Sequence, residues 1–116
     1  KIDEKKWADA YYKTVLRPIE DQGNTFWWLD WQQWKESKYN PGLSNTFWLN
    51  HTFFTHAQER DPSIRPFIYH RWGGLGSHRY QLAFSGDTYA TWQTLAFLPW
   101  FTYFFNYFNI GTQWPQ

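Results

Sequence analysis

The chain has 116 residues, a formal net charge of +1 and 42% hydrophobic residues. One small domain fits that length, and so balanced a charge gives no footing for nucleic acid or for an anionic membrane surface. There is no cysteine, which excludes disulfides and thiolate metal sites. The outlier is aromatic content, 25% of the residues, ten of them tryptophan. A domain this small cannot bury so many rings in its own interior, so some must face a ligand, a partner or the rest of a larger protein. No apolar segment follows the opening charges, so the start does not read as a signal peptide. The absence of methionine suggests a piece of a longer chain.

Residues 1–17 read as an amphipathic helix. Trp7, Tyr11, Val15 and Ile19 recur at four-residue spacing, and Pro18 is expected to end or kink the helix. A turn at Gly23 leads into an apolar run, Phe26-Trp27-Trp28-Leu29, that stops on Asp30 and reads as a buried strand. Residues 35–45 are polar, with a turn at Asn40-Pro41-Gly42. Residues 46–60 carry a rough helical stripe through Phe47, Phe53, Phe54 and Ala57, and Pro62 stops it. Residues 64–71 form a second expected strand, with Pro66 early and His70 and Arg71 at its end.

Residues 72–77 are a glycine-rich loop, and residues 80–84 a third short strand that ends at Ser85-Gly86-Asp87. Thr88 opens a helical pattern through Trp92, Leu95 and Trp100. The apolar stretch at 95–110 is interrupted by Pro99, Thr102, Asn106 and Asn109. It falls short of the ~20 apolar residues that a membrane span needs. Strands separated by helices or long loops predict an α/β fold with a parallel sheet.

Ligands bind beyond the carboxyl ends of parallel strands, so Asp30 and Asp87 are catalytic candidates. Glycoside hydrolysis requires two carboxylates facing one sugar. Each Asp has a second reading as a helix N-cap, and Asp87 before Thr88-Tyr89 suits that well. Arg71 between them would orient a carboxylate, grip sugar hydroxyls or form a structural ion pair. Trp28, Trp31, Trp72 and Phe84 are candidate stacking walls for a pyranose ring, with ordinary core as the alternative. Gly73, Gly74 and Gly76 lack the third glycine spacing and the following helix of a dinucleotide fingerprint. His51, His56, His70 and His78 form no i,i+4 metal pair, so no metal ligand is assigned.

The two blocks FWWLDWQQ and RPFIYHRWGGLGSHRYQLAFSGDTYATW together resemble glycoside hydrolase family 31, the retaining α-glucosidases, α-xylosidases and their relatives. The resemblance runs from about residue 1 to 102. It implies part of a (β/α)8 TIM barrel, roughly strands 4 to 6 with flanking helices, since a whole barrel takes ~250 residues. It also implies hydrolysis of α-linked glucose-type glycosides with retention, through a covalent glycosyl-enzyme and with no cofactor. Asp30 matches the nucleophile and Asp87 the acid/base. Arg71 matches an active-site arginine. Phe84 stands where the family usually has a tryptophan, and Trp31 replaces the residue that lines the innermost sugar site. The Asp-Trp-Gln-Gln variant departs from the commoner Asp-Met-Asn-Glu, which loosens the inference to a particular sugar.

The expected partner is an α-glycoside or oligosaccharide, with no nucleic acid and no membrane. An incomplete barrel would also expose strand edges open to self-association. Residues 103–116 are expected to be a divergent, uncharged aromatic tail in place of the family's Asp-Ile-Gly-Gly strand ending. The alternative to an enzyme is an inactive fragment or a sugar-binding relative that does not cut.

Overall fold

The computed structural model describes residues 2–30, 36–71, 76–80, 82–84, 86–108 and 110–112. The first helix runs from α1 (Lys5–Tyr11) through a π-helical turn, Tyr12–Leu16, into α2 (Arg17–Glu20). Of the end or kink expected at Pro18, the end does not occur: the helix runs on to Glu20. Pro18 enters at the start of α2, where its missing N–H is tolerated, and the wide turn before it absorbs the break in the α-helical ladder.

The expected apolar stripe is also displaced. Trp7 is 52% exposed, and Tyr11, Val15 and Ile19 are exposed too. The face turned inward lies one residue further on, at Ala8, Tyr12, Leu16 and Glu20, with Leu16 only 2% exposed. Glu20 finds donors in the interior, so a carboxylate belongs to the packed face.

Four three-residue strands follow: β1 (Trp27–Leu29), β2 (Ile68–His70), β3 (Leu82–Phe84) and β4 (Ile110–Thr112). They lie in the order β1-β2-β3-β4, and every pair is parallel. This is sequential parallel winding, without the reversal of strand order that marks a doubly wound sheet. β1 and β4 are the edges, and among the described residues neither pairs further.

The connection from β1 to β2 carries α3 (Asn45–Arg60), and that from β3 to β4 carries α4 (Trp92–Phe108). The third strand begins two residues later than expected, because Ser77–Tyr80 forms a 3₁₀ turn that buries Tyr80 against Phe47 and Phe54. α4 begins at Trp92 and not at Thr88. It continues through Pro99 and past Thr102, so the expected boundary at 102 falls inside a helix. No helix among the described residues is long and apolar enough to cross a membrane.

The core lies between the sheet and the first and third helices. Leu16, Leu29, Phe53, Ile68 and Tyr80 form its buried centre, flanked by Tyr12, Trp27 and Phe54. A buried carboxylate fastens this layer. Glu20 Oε1 accepts from the Trp27 indole at 2.9 Å and forms an ion pair with Arg60 Nη1 at 3.1 Å, and both Glu20 oxygens lie 3.1 Å from His56 Nε2. Burial pushes the Glu20 pKa up, but the Trp27, His56 and Arg60 groups outweigh it and hold the carboxyl below its ordinary range.

Candidate active site

Side chains alternate faces along a strand. Leu29 and Ile68 point to the helices. Phe26, Trp28, Phe67, Tyr69 and Phe84 take the opposite face, where they touch one another across the sheet. Phe26 meets Phe67 with ring centroids 5.0 Å apart, Trp28 stacks on Tyr69 at 5.7 Å, and Phe84 contacts both Trp28 and Tyr69. Continuing the same alternation one step past the strand ends reaches Asp30 and Arg71. The period of two thus lifts an acid and a base out of an aromatic floor at the carboxyl edge of the sheet.

Arg71 is the centre of this edge. Its Nη1 donates to Asp30 Oδ1 at 3.0 Å and its Nη2 to Asp87 Oδ2 at 3.1 Å. Its side chain is 7% exposed, against 23% for Asp30 and 63% for Asp87. The guanidinium lies 5.2 Å from the centre of the Phe84 ring, a cation–π distance. Burial alone would lower the basicity of Arg71, but the Asp30 and Asp87 carboxylates together raise it above its usual range. One planar fork therefore holds two carboxylates that are 57 positions apart in the sequence (87 − 30).

The cap reading of Asp87 is set aside by where α4 begins. Thr91 does the capping: its Oγ1 accepts the Thr94 backbone N–H at 3.1 Å. Asp87 sits well before that point with its carboxylate on Arg71.

Of the residues singled out in the sequence, the structure brings together Asp30, Asp87, Arg71, Phe84 and Trp28. Trp31 and Trp72 lie outside the described residues, as does most of the glycine-rich loop. Tyr69 joins Phe84 on the face that Trp28 shares, a place that its position two residues before Arg71 marks in the sequence. Among the described residues no group of three or more His, Asp or Glu side chains converges to hold a metal ion.

The family model for the glycosyl hydrolases family 31 TIM-barrel domain matches residues 3–112. The chain belongs to glycoside hydrolase family 31. The match takes in all four strands of this family 31 chain, β4 included, and extends past the sequence boundary expected at 102. Searches of the curated proteins and of the solved structures each returned no match. Membership makes a carbohydrate the substrate class and a TIM barrel the parent architecture, and the parallel sheet with its helices accords with part of such a barrel.

Proposed function

We propose that this chain carries the reacting carboxylates of a retaining α-glycosidase, as a segment of a (β/α)8 barrel that starts at strand 4 and, with β4, runs one strand past the expected strands 4 to 6, within a larger enzyme. Asp30 is the nucleophile. It attacks the anomeric carbon of an α-linked glucose-type residue as the bond to the leaving oxygen breaks, and a glycosyl-enzyme ester forms. Asp87 gives its proton to that oxygen, then takes one from the water that cleaves the ester. Each aspartate thereby ends the cycle as it began.

The observation that carries this reading is the shared guanidinium. Glycoside hydrolysis needs two carboxyl groups facing one sugar, and one fork reaching both Asp30 and Asp87 brings them to the same place. The difference in exposure suits the roles. Asp30 is the more enclosed of the pair, as a nucleophile under the sugar would be, and Asp87 is open to solvent, from which the second step draws its water. Trp28, half exposed, then supplies a flat apolar wall for the C–H faces of the ring, whereas Phe84 is buried against Trp28, Tyr69 and Arg71 and packs the site instead of lining it.

The test is incubation with an aryl α-glucoside and with a 2- or 5-fluoro α-glycosyl fluoride, followed by peptide mapping. The expected result is a sugar ester on Asp30. Turnover with no label on Asp30 would remove it as nucleophile.

A second reading is favoured by one feature, the uncovered apolar surface. Trp28 is half exposed, α4 turns Trp92, Trp100 and Tyr103 outward, and both sheet edges are open among the described residues. In this reading the chain binds sugar without cutting it, or self-associates through those edges. Sugar binding with no ester formed, or a sedimentation mass above that of one chain, would select it.

A further inference from the structure

Gly86 lies on the loop between β3 and Asp87, buried, with a φ of +92°. A β-carbon built there would sit 3.4 Å from Arg71 Nε, 3.5 Å from Nη2 and 3.9 Å from Cζ. The guanidinium therefore turns its Nε–Nη2 edge toward the bare α-carbon of Gly86. On another side it has the Phe84 ring at 5.2 Å. Nη2 is the nitrogen that reaches Asp87, the residue next to Gly86, while Nη1 reaches Asp30. A β-carbon would already be in van der Waals contact with that edge, so any larger side chain must find its room beside the guanidinium.

We infer that Gly86 is a positioning residue for Arg71. Its missing side chain forms one wall of the slot that aims the fork at both carboxylates at once. The role bears on hydrolysis only through Arg71 and rests to that extent on the reading above, whereas the slot itself can be tested without any turnover.

Two other glycines make the controls. Gly23 and Gly42 also have positive φ, +107° and +83°, but a β-carbon at either meets nothing within 4 Å. Substitution there carries the backbone cost of a positive φ without the steric one. The experiment compares Gly86→Ala and Gly86→Val with the same changes at Gly23, in the whole chain. It reads the Arg71 Nε–H resonance, identified by its loss in Arg71→Lys, and the urea midpoint.

The expected result is a small displacement of the Arg71 resonance in Gly86→Ala, a large one in Gly86→Val, and none in either Gly23 variant. Gly86→Val is also expected to lower the urea midpoint more than Gly23→Val, and Arg71→Ala in the same chain to remove that excess. If Gly86→Val does not fold, recovery of folding in the Arg71→Ala, Gly86→Val double variant supports the slot. Failure to recover while Gly23→Val folds overturns it. An Arg71 resonance that Gly86→Val leaves in place overturns it as well. None of these readings depends on sugar chemistry, so a chain that forms no glycosyl-enzyme can still pass or fail.

Discussion

Arg71 Nη1 lies 3.0 Å from Asp30 Oδ1, a contact that joins the end of the second strand to the end of the first across 41 positions of sequence. With Nη2 on Asp87, the arginine makes a two-ended bridge that a lysine cannot copy. An ammonium has three donors but lacks the planar fork whose two separated ends each meet one carboxylate. In Arg71→Lys, labelling of Asp30 by the fluorosugar is expected to slow roughly ten- to a hundredfold, the equivalent of about 1.5–3 kcal/mol for one charge-assisted hydrogen bond. Labelling at the unaltered rate would remove Arg71 from the site.

The inward face of the first helix can be checked by a pair of neighbours. Leu16 is buried in the core and Val15, beside it, is exposed. Leu16→Ala is expected to destabilise by about 3 kcal/mol, through lost transfer energy and the cavity left behind. Val15→Ala should change stability by no more than about 0.5 kcal/mol, as surface substitutions do. Urea midpoints that rank the two the other way would restore the sequence-based stripe at Trp7, Tyr11, Val15 and Ile19.

Glu20 is the carboxylate on which the helix layer depends. Its side chain is 1% exposed, whereas its partners His56 and Arg60 keep some contact with water. Glu20→Ala leaves Trp27 without its acceptor and Arg60 and His56 without their counter-charge, at an expected cost of about 3 kcal/mol. Glu20→Gln keeps an acceptor for the indole and should cost less, roughly 1–2 kcal/mol. Because the folded carboxyl is held below 4.5, its contribution is complete above that pH and is lost as pH falls through the folded value. Chemical denaturation of both variants at pH 7 and pH 4 checks the order and the direction.

His70 points into the core from the second strand and is wholly buried. Burial pushes its imidazole down to about 4, against a weaker upward pull from the Ser77 backbone. Neither ring nitrogen reaches full hydrogen-bond geometry with a described residue. The unfolded chain takes up its proton near 6.5, the folded one only near 4, so the unfolded state binds more protons in between. Stability should therefore be fully present above pH 6.5 and fall as pH drops toward 4, by about 3 kcal/mol from this one group. His70→Leu, which titrates nothing there, should flatten the curve over that window. An unchanged slope would place the acid sensitivity elsewhere.

The alternation of the sequence already marked where the strands end and which groups stand there. Asp30, Arg71 and Asp87 each follow a short apolar run, and that local pattern survives because side-chain direction in a strand depends only on a period of two. Two motif blocks in order were enough to name the family, since each block is a local string. What could not be read was everything that depends on which neighbour arrives. Trp7, Tyr11, Val15 and Ile19 are more hydrophobic than Ala8, Tyr12, Leu16 and Glu20, yet the second set faces inward. The closeness of α3 and the donors Trp27, His56 and Arg60 decide that, and none of them lies on the same helix. The N-cap reading of Asp87 failed for a similar reason: the pull came from Arg71 on another strand, while Thr91 took the cap. The sequence by itself determined the chemistry available at the strand ends. Only the tertiary structure decided that one guanidinium would hold both carboxylates, because a contact between residues 41 and 16 positions apart exists only after the sheet has formed.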